Sequence, residues 1–235
     1  MNQKLRKDID YIVENSIKAV LPDEAVMKAL ESYTPSKGKN VLVAIGKAAW
    51  QMAKAATNAL GYVDYGIVIT KYDHVKGSID GIECIEAGHP IPDENSFRAT
   101  GRAIELVKDL TADDTVLFLI SGGGSALFEL PLIDADELQD ITKQLLASGA
   151  NIVEINTIRK RLSQVKGGRF ALKCAPAKVF SIVLSDIVGD PLDMIASGPA
   201  YPDTSTCADA NRIVKKYSLK LSDKAKTLLN EETPK

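Results

Sequence analysis

Four apolar runs constrain the fold more than anything else in the chain. VLVAIG (41–46), GIVITKY (66–72), DTVLFLIS (114–121) and KVFSIVLSD (178–186) are solidly apolar through their middles, and helical patterns separate them. A strand without a polar face must be covered on both sides, as happens in parallel sheets whose crossover helices pack on each face. IECIEAG (82–88) reads as one more strand. KAAWQMAKAATNAL reads as an Ala-rich helix, FRATGRAIELVKDL as a helix started by residues 93–96, and another helix runs from Asp136 to about Ser148. Residues 5–33 predict two helices broken at Pro22, VEINTIRKRLSQVKGGRFALKC a helix, a glycine turn and a helix, and the tail from Ala208 a polar helical segment. The expected fold is α/β, a parallel sheet with helices on both faces.

In such a sheet, ligands bind beyond the carboxyl ends of the strands. Three sequences fall there. The first is the triple glycine of SGGGS, where Ser121, Gly122, Gly123, Gly124 and Ser125 follow the fourth apolar run. Glycine is the residue with most freedom to lose on ordering. Three together let an anionic oxygen touch the main chain, and the loop reads as a phosphate or carboxylate cradle more readily than as a plain turn. It is neither a P-loop nor GxGxxG. The second is Lys47, one residue past the first strand at a helix start, where a cation adds a point charge for an anion. Alone it reads as an ordinary surface lysine. The third is SDIVGD (185–190), where Asp186 and Asp190 are spaced to hold Mg²⁺ or, equally, to make a turn.

NTIRKRLSQVKGGRFA concentrates cations. It reads either as a solvated basic face or as a docking site for a triphosphate, with Asn156, Arg159 and Lys160 on one helix face and Lys166, Gly167 and Gly168 in a turn. His89, between glycine and proline, reads as a residue that orients its loop by a hydrogen bond.

Composition narrows the function. With 29 basic and 31 acidic residues, net charge −2 gives no reason to expect nucleic acid or an anionic membrane surface, so any anion recognition must be local. No run is long enough to span a bilayer, and the charged start MNQKLRKDID shows no signal-peptide pattern. Cys84, Cys174 and Cys207 lack CxxC spacing and read as reduced thiols, and the cytoplasm is the default compartment. Two histidines, His74 and His89, make a histidine-based metal site improbable. Glycines, a lysine and strand-end carboxylates form a coherent set for phosphoryl transfer, which needs positioning and charge neutralisation more than covalent chemistry.

GKAAWQMA, EAGHPIPDENS, SGGGSALFELP, NTIRKRLSQVKGGRFA and SDIVGDPLDMIASGPAYPDTST, in that order, together resemble the type II glycerate kinase (glycerate 2-kinase, MOFRL) family over about residues 5–215. The resemblance implies a Rossmann-like large domain over residues 1–235 and ATP- and Mg²⁺-dependent phosphorylation of D-glycerate to 2-phosphoglycerate. It places the family's catalytic lysine at Lys47, its glycine-rich loop at 121–125 and its acidic motif at 185–190. Some members carry a hydroxypyruvate reductase label, but no nicotinamide fingerprint is present. Family members are nearly twice as long, and the smaller C-terminal domain is expected to lie outside this sequence. The expectation is a partner domain or second chain supplying that half, with ligand binding without turnover as the alternative. A homo-oligomer stays open.

Overall fold

The structure, a computed structural model, describes residues 3–185 and 187–235. Strands β1 (Asn40–Ile45), β2 (Tyr65–Lys71), β3 (Ile82–Ala87), β4 (Thr115–Ile120) and β5 (Lys178–Val183) form one parallel sheet in the order β3-β2-β1-β4-β5. Val41 lies opposite Tyr65 on one side and Val116 on the other, so β1 is central. From β1 the chain runs outward to β3, then returns to place β4 on the other flank. The strand order reverses between β1 and β4, and that is where a crevice opens at the carboxyl edge.

The helices among the described residues are α1 (Gln3–Ala19), α2 (Pro22–Leu30), α3 (Ala49–Leu60), α4 (Glu94–Val107), α5 (Gly124–Leu127), α6 (Ala135–Ala147), α7 (Ile152–Arg161), α8 (Arg169–Cys174), α9 (Cys207–Tyr217) and α10 (Asp223–Leu229). Their starts follow from local chemistry. Asp93, Asn151 and Thr206 each accept the backbone N–H three residues on, and a side chain there returns the bond, so three helices begin with capping boxes.

Strand alternation divides the core. Val41, Val43 and Ile45 pack with Ala99, Ala103 and Phe170 of α4 and α8. Leu42 and Ala44 face the other side, against Val26 of α2 and Met52, Ala53 and Ala56 of α3. Small residues along α3 let its axis approach the sheet. Each fully buried Val, Leu or Ile contributes about 1.5–3 kcal/mol relative to exposure. A third cluster joins α6, α7, α9 and α10 through Ile141, Ile158, Ala210 and Leu229. α1 stands apart, with no buried residue and with Ile9, Ile12 and Ile17 exposed. Among the described residues no helix is long and apolar enough to cross a membrane.

Candidate active site

At the crevice, the turn after β1 and the loop after β4 are stitched together. Ser121 N–H donates to Ile45 O at 2.9 Å, Lys47 N–H to Gly122 O at 2.8 Å, and Ala48 N–H to Ser121 Oγ at 3.0 Å. The approach requires glycine at 46, where φ is +110° and a Cβ would overlap Ser121. Ser121 thus holds two strand ends together with its hydroxyl. The Lys47 side chain is exposed and makes no hydrogen bond or ion pair among the described residues.

The glycine loop follows. Among the described residues, the N–H groups of Gly122, Gly123, Gly124 and Ser125 have no acceptor. Successive unpaired N–H groups form a concavity that suits an anionic oxygen. Gly123 has φ +87°, and a Cβ there would lie 2.9 Å from the His89 ring and 3.2 Å from Lys47 Cγ. Gly123, Lys47 and His89 therefore converge on one point. His89 is half-buried, and its pKa is pushed below the usual 6.5 by burial, then by the charges of Lys47 and Lys71. It makes no hydrogen bond among the described residues, contrary to the loop-orienting bond expected from sequence.

The loop's far end is braced by the cations of α7 and the turn after it. Arg159 and Lys166 both donate to Ser125 O at 2.9 Å, and Lys166 also donates to Phe128 O at 2.8 Å. Their counter-charge is the buried Glu129, 3.1 Å from Arg159 and 3.4 Å from Lys166. Burial pushes the Lys166 pKa down to about 8, opposed by Glu129. Asn156 Oδ1 accepts from Ser197 Oγ at 3.0 Å, and Ser197 Oγ lies 2.9 Å from Ser125 Oγ. With the Ser197 proton committed to Asn156, Ser125 is the donor in that pair.

Lys160 is fully buried and lies 3.1 Å from Asp203 and 3.4 Å from Asp193. Gly167 and Gly168 have φ +58° and +80°, and their N–H groups donate to Ser197 O at 3.0 Å and Gly198 O at 2.7 Å, so the second glycine turn is tied to the segment after β5. Of the cation-rich segment, Arg159 and Lys166 reach the glycine loop directly and Asn156 through Ser197, Gly167 and Gly168 hold the backbone at Ser197 and Gly198, and Lys160 pairs with Asp203 and Asp193. The reading of a solvated basic face is overturned, because Lys160, Arg161 and Lys166 are 0% exposed.

The segment after β5 crosses the crevice. Ala196 and Ser197 have φ +51° and +62°, an unusual pair for non-glycine residues, and Ala196 Cβ sits 2.7 Å from where a Gly124 Cβ would be. Asp190 is exposed with φ +46° in the turn that precedes it. Asp186 lies outside the described residues. Among the described residues no three His, Cys, Asp or Glu side chains cluster as a ready metal site. Mg²⁺ commonly takes only one or two protein carboxylates and completes its shell with water and phosphate, so an exposed Asp190 fits such a role.

This is a doubly wound α/β protein with its crevice at the switch point. The family model described as "Domain of unknown function (DUF4147)" matches residues 8–230. D-glycerate 2-kinase of Thermotoga maritima is 54% identical over 236 residues, 99% of this chain and 56% of that one. Glycerate 2-kinase of Pyrococcus horikoshii is 43% identical over 220 residues, 88% of this chain and 49% of that one. The crystal structure of a glycerate kinase from Thermotoga maritima superposes with a TM-score of 0.92 at 53% identity, covering 99% of this chain and 56% of that one. The chain belongs to the glycerate 2-kinase family, through its DUF4147 domain. It spans about half the length of the curated relatives it matches.

Proposed function

We propose that this chain is the large α/β part of an ATP-dependent D-glycerate kinase that forms 2-phosphoglycerate. The observation that carries the reading is the run of N–H groups at Gly122, Gly123, Gly124 and Ser125 that have no acceptor among the described residues, with the stem of the Lys47 side chain, its Cγ 3.2 Å from where a Gly123 Cβ would stand, beside it. Backbone N–H donors fixed in place before an anion arrives cost no reorganisation when charge develops on it. Lys47 adds the charge that neutralises a transferring phosphoryl group or the glycerate carboxylate. Arg159, Lys166 and Asn156 act one step back, fixing the loop through Ser125 and Ser197. Lys160 joins the Asp203 network that anchors α7, and Gly167 and Gly168 hold the backbone at Ser197 and Gly198.

Asp190, with Asp186, is the carboxylate pair that would hold Mg²⁺, which supplies charge neutralisation on the phosphates. The names of the relatives support glycerate as the acceptor. The test is ADP release by the 235-residue chain with ATP, Mg²⁺ and D-glycerate, beside calorimetric titration of each ligand. Glycerate-dependent ADP release is expected if the crevice is sufficient by itself. Binding without turnover assigns part of the chemistry to residues of a further domain. Neither binding nor turnover counts against the site.

A further inference from the structure

Moving a phosphoryl group onto a hydroxyl requires that the hydroxyl lose its proton, and of the groups assigned above Asp186 and Asp190 are committed to Mg²⁺ and Lys47 to neutralising charge. Ser121 and Ser125 have their hydroxyls bound to Ile45 O and to Ser197. Lys166 is sealed against Ser125, Phe128 and Glu129. His74, the other histidine, sits on an exposed turn with Nδ1 3.2 Å from Tyr72 O.

We propose that His89 is the general base of this site, its Nε2 accepting the proton of the acceptor hydroxyl as that oxygen attacks the terminal phosphorus of a nucleoside triphosphate. The inference rests on the kinase reading. The new bond joins the hydroxyl oxygen to phosphorus, the bond from phosphorus to the β,γ-bridging oxygen breaks, the nucleoside diphosphate leaves, and His89 passes its proton to solvent.

Geometry carries the assignment. The Nε2–Cδ2 edge of the ring lies against Gly123, each atom 2.9 Å from where a Cβ would stand, so the ring occupies space that only glycine leaves open. The same point is 3.2 Å from Lys47 Cγ. Neither ring nitrogen has a protein partner among the described residues, and neither is a sealed orphan, so both reach accessible space. The loop around the ring is rigidly set. A Cβ at Gly88 would lie 2.5 Å from Ile91 O and 2.9 Å from Asp93 Cγ, and Asp93 is tied to Tyr72 at 2.6 Å and to Ser96 N at 2.9 Å. An imidazole without a partner among the described residues, on so constrained a loop, is positioned for something that is not protein.

Electrostatics agrees. Burial, then the charges of Lys47 and Lys71, favour the neutral ring, which is the form that accepts a proton, and the Asp93 carboxylate on the same loop is turned to Tyr72 and Ser96.

The test compares wild type, H89Q and the control H74Q, reading glycerate-dependent ADP release from pH 5 to 8 and the imidazole ¹⁵N signals with and without D-glycerate. H89Q is expected to lower kcat by about a hundredfold, with little change in KM for glycerate and with loss of the acidic limb of the wild-type profile. The His89 signal is expected to shift on adding D-glycerate while the His74 signal stays. An H89Q enzyme with unchanged kcat and pH profile, or a His89 signal indifferent to bound glycerate, overturns the base assignment and leaves the kinase reading standing. Wild-type protein that neither binds nor phosphorylates glycerate overturns both.

Discussion

The main-chain N–H of Lys47 donates to the carbonyl of Gly122 at 2.8 Å, so the turn after β1 and the glycine loop after β4 form one piece of backbone. The bond consumes the donor of Lys47, and those of Gly122 to Ser125 have no acceptor among the described residues. Lys47 therefore acts through its side chain alone. K47A is expected to slow glycerate-dependent ADP release at least tenfold, about 1.4 kcal/mol of transition-state stabilisation. Thermal unfolding should be unchanged, because the exposed side chain has no partner among the described residues to lose. An unaltered rate removes Lys47 from the mechanism.

Gly123 and Gly149 separate backbone strain from function. Both have positive φ, +87° and +75°, but a Cβ at 149 meets nothing and a Cβ at 123 meets His89 and Lys47. G123A and G149A should each be destabilised by about 1–2 kcal/mol, the penalty for a left-handed non-glycine residue. Only G123A should weaken D-glycerate binding, measured by calorimetry.

Asp203 is the keystone of the buried cation network. It lies 3.1 Å from Lys160 and 3.7 Å from Arg161, and accepts from Thr233 at 2.7 Å. D203A leaves buried Lys160 with Asp193 at 3.4 Å and buried Arg161 with Glu232 at 3.3 Å as their remaining carboxylates, and breaking a buried pair typically costs about 3–5 kcal/mol. Urea denaturation of D203A should show a loss of that size. A loss below about 1 kcal/mol, the range of an exposed pair, contradicts the network's structural role.

Acid should destabilise the fold in a defined window. Glu154 is held at about 2 by Lys216, Tyr217 and the Asn151 N–H, and Glu232 at about 2 chiefly by the Cys207 N–H. Folded pKa values below the unfolded 4.5 mean that the unfolded chain binds more protons as pH falls, so this stability is present above 4.5 and lost towards 2. The urea midpoint should fall between pH 5 and pH 3, and E154Q should show a smaller fall.

Much of this was legible in the residues. Solid apolar runs such as VLVAIG announce a strand buried on both faces, and all five strands and the helix starting at Asp93 lie where pattern and capping chemistry put them. The order of the strands was not, because register between β1 and β4 joins residues about 75 apart, as Asn40 and Thr115 do. The cation-rich segment misled for the same reason. Its partners, Glu129 and Asp203, lie 30 and 43 residues from Arg159 and Lys160, and nothing local distinguishes a buried, paired lysine from a solvated one. His89 reads from sequence as a residue that orients its loop, because a lone histidine carries no spacing signal. Its flanking Gly88 and Pro90, which force a tight loop at a strand end, were the available clue.

The central claim is that the main chain of the glycine loop is itself the ligand of an anionic oxygen. Backbone ¹H–¹⁵N shifts, followed as D-glycerate and then ATP with Mg²⁺ are added, test it most directly. The account predicts the largest and saturable changes at the N–H groups of Gly122, Gly123, Gly124 and Ser125. Saturable binding that moves signals elsewhere and leaves these four in place would contradict it.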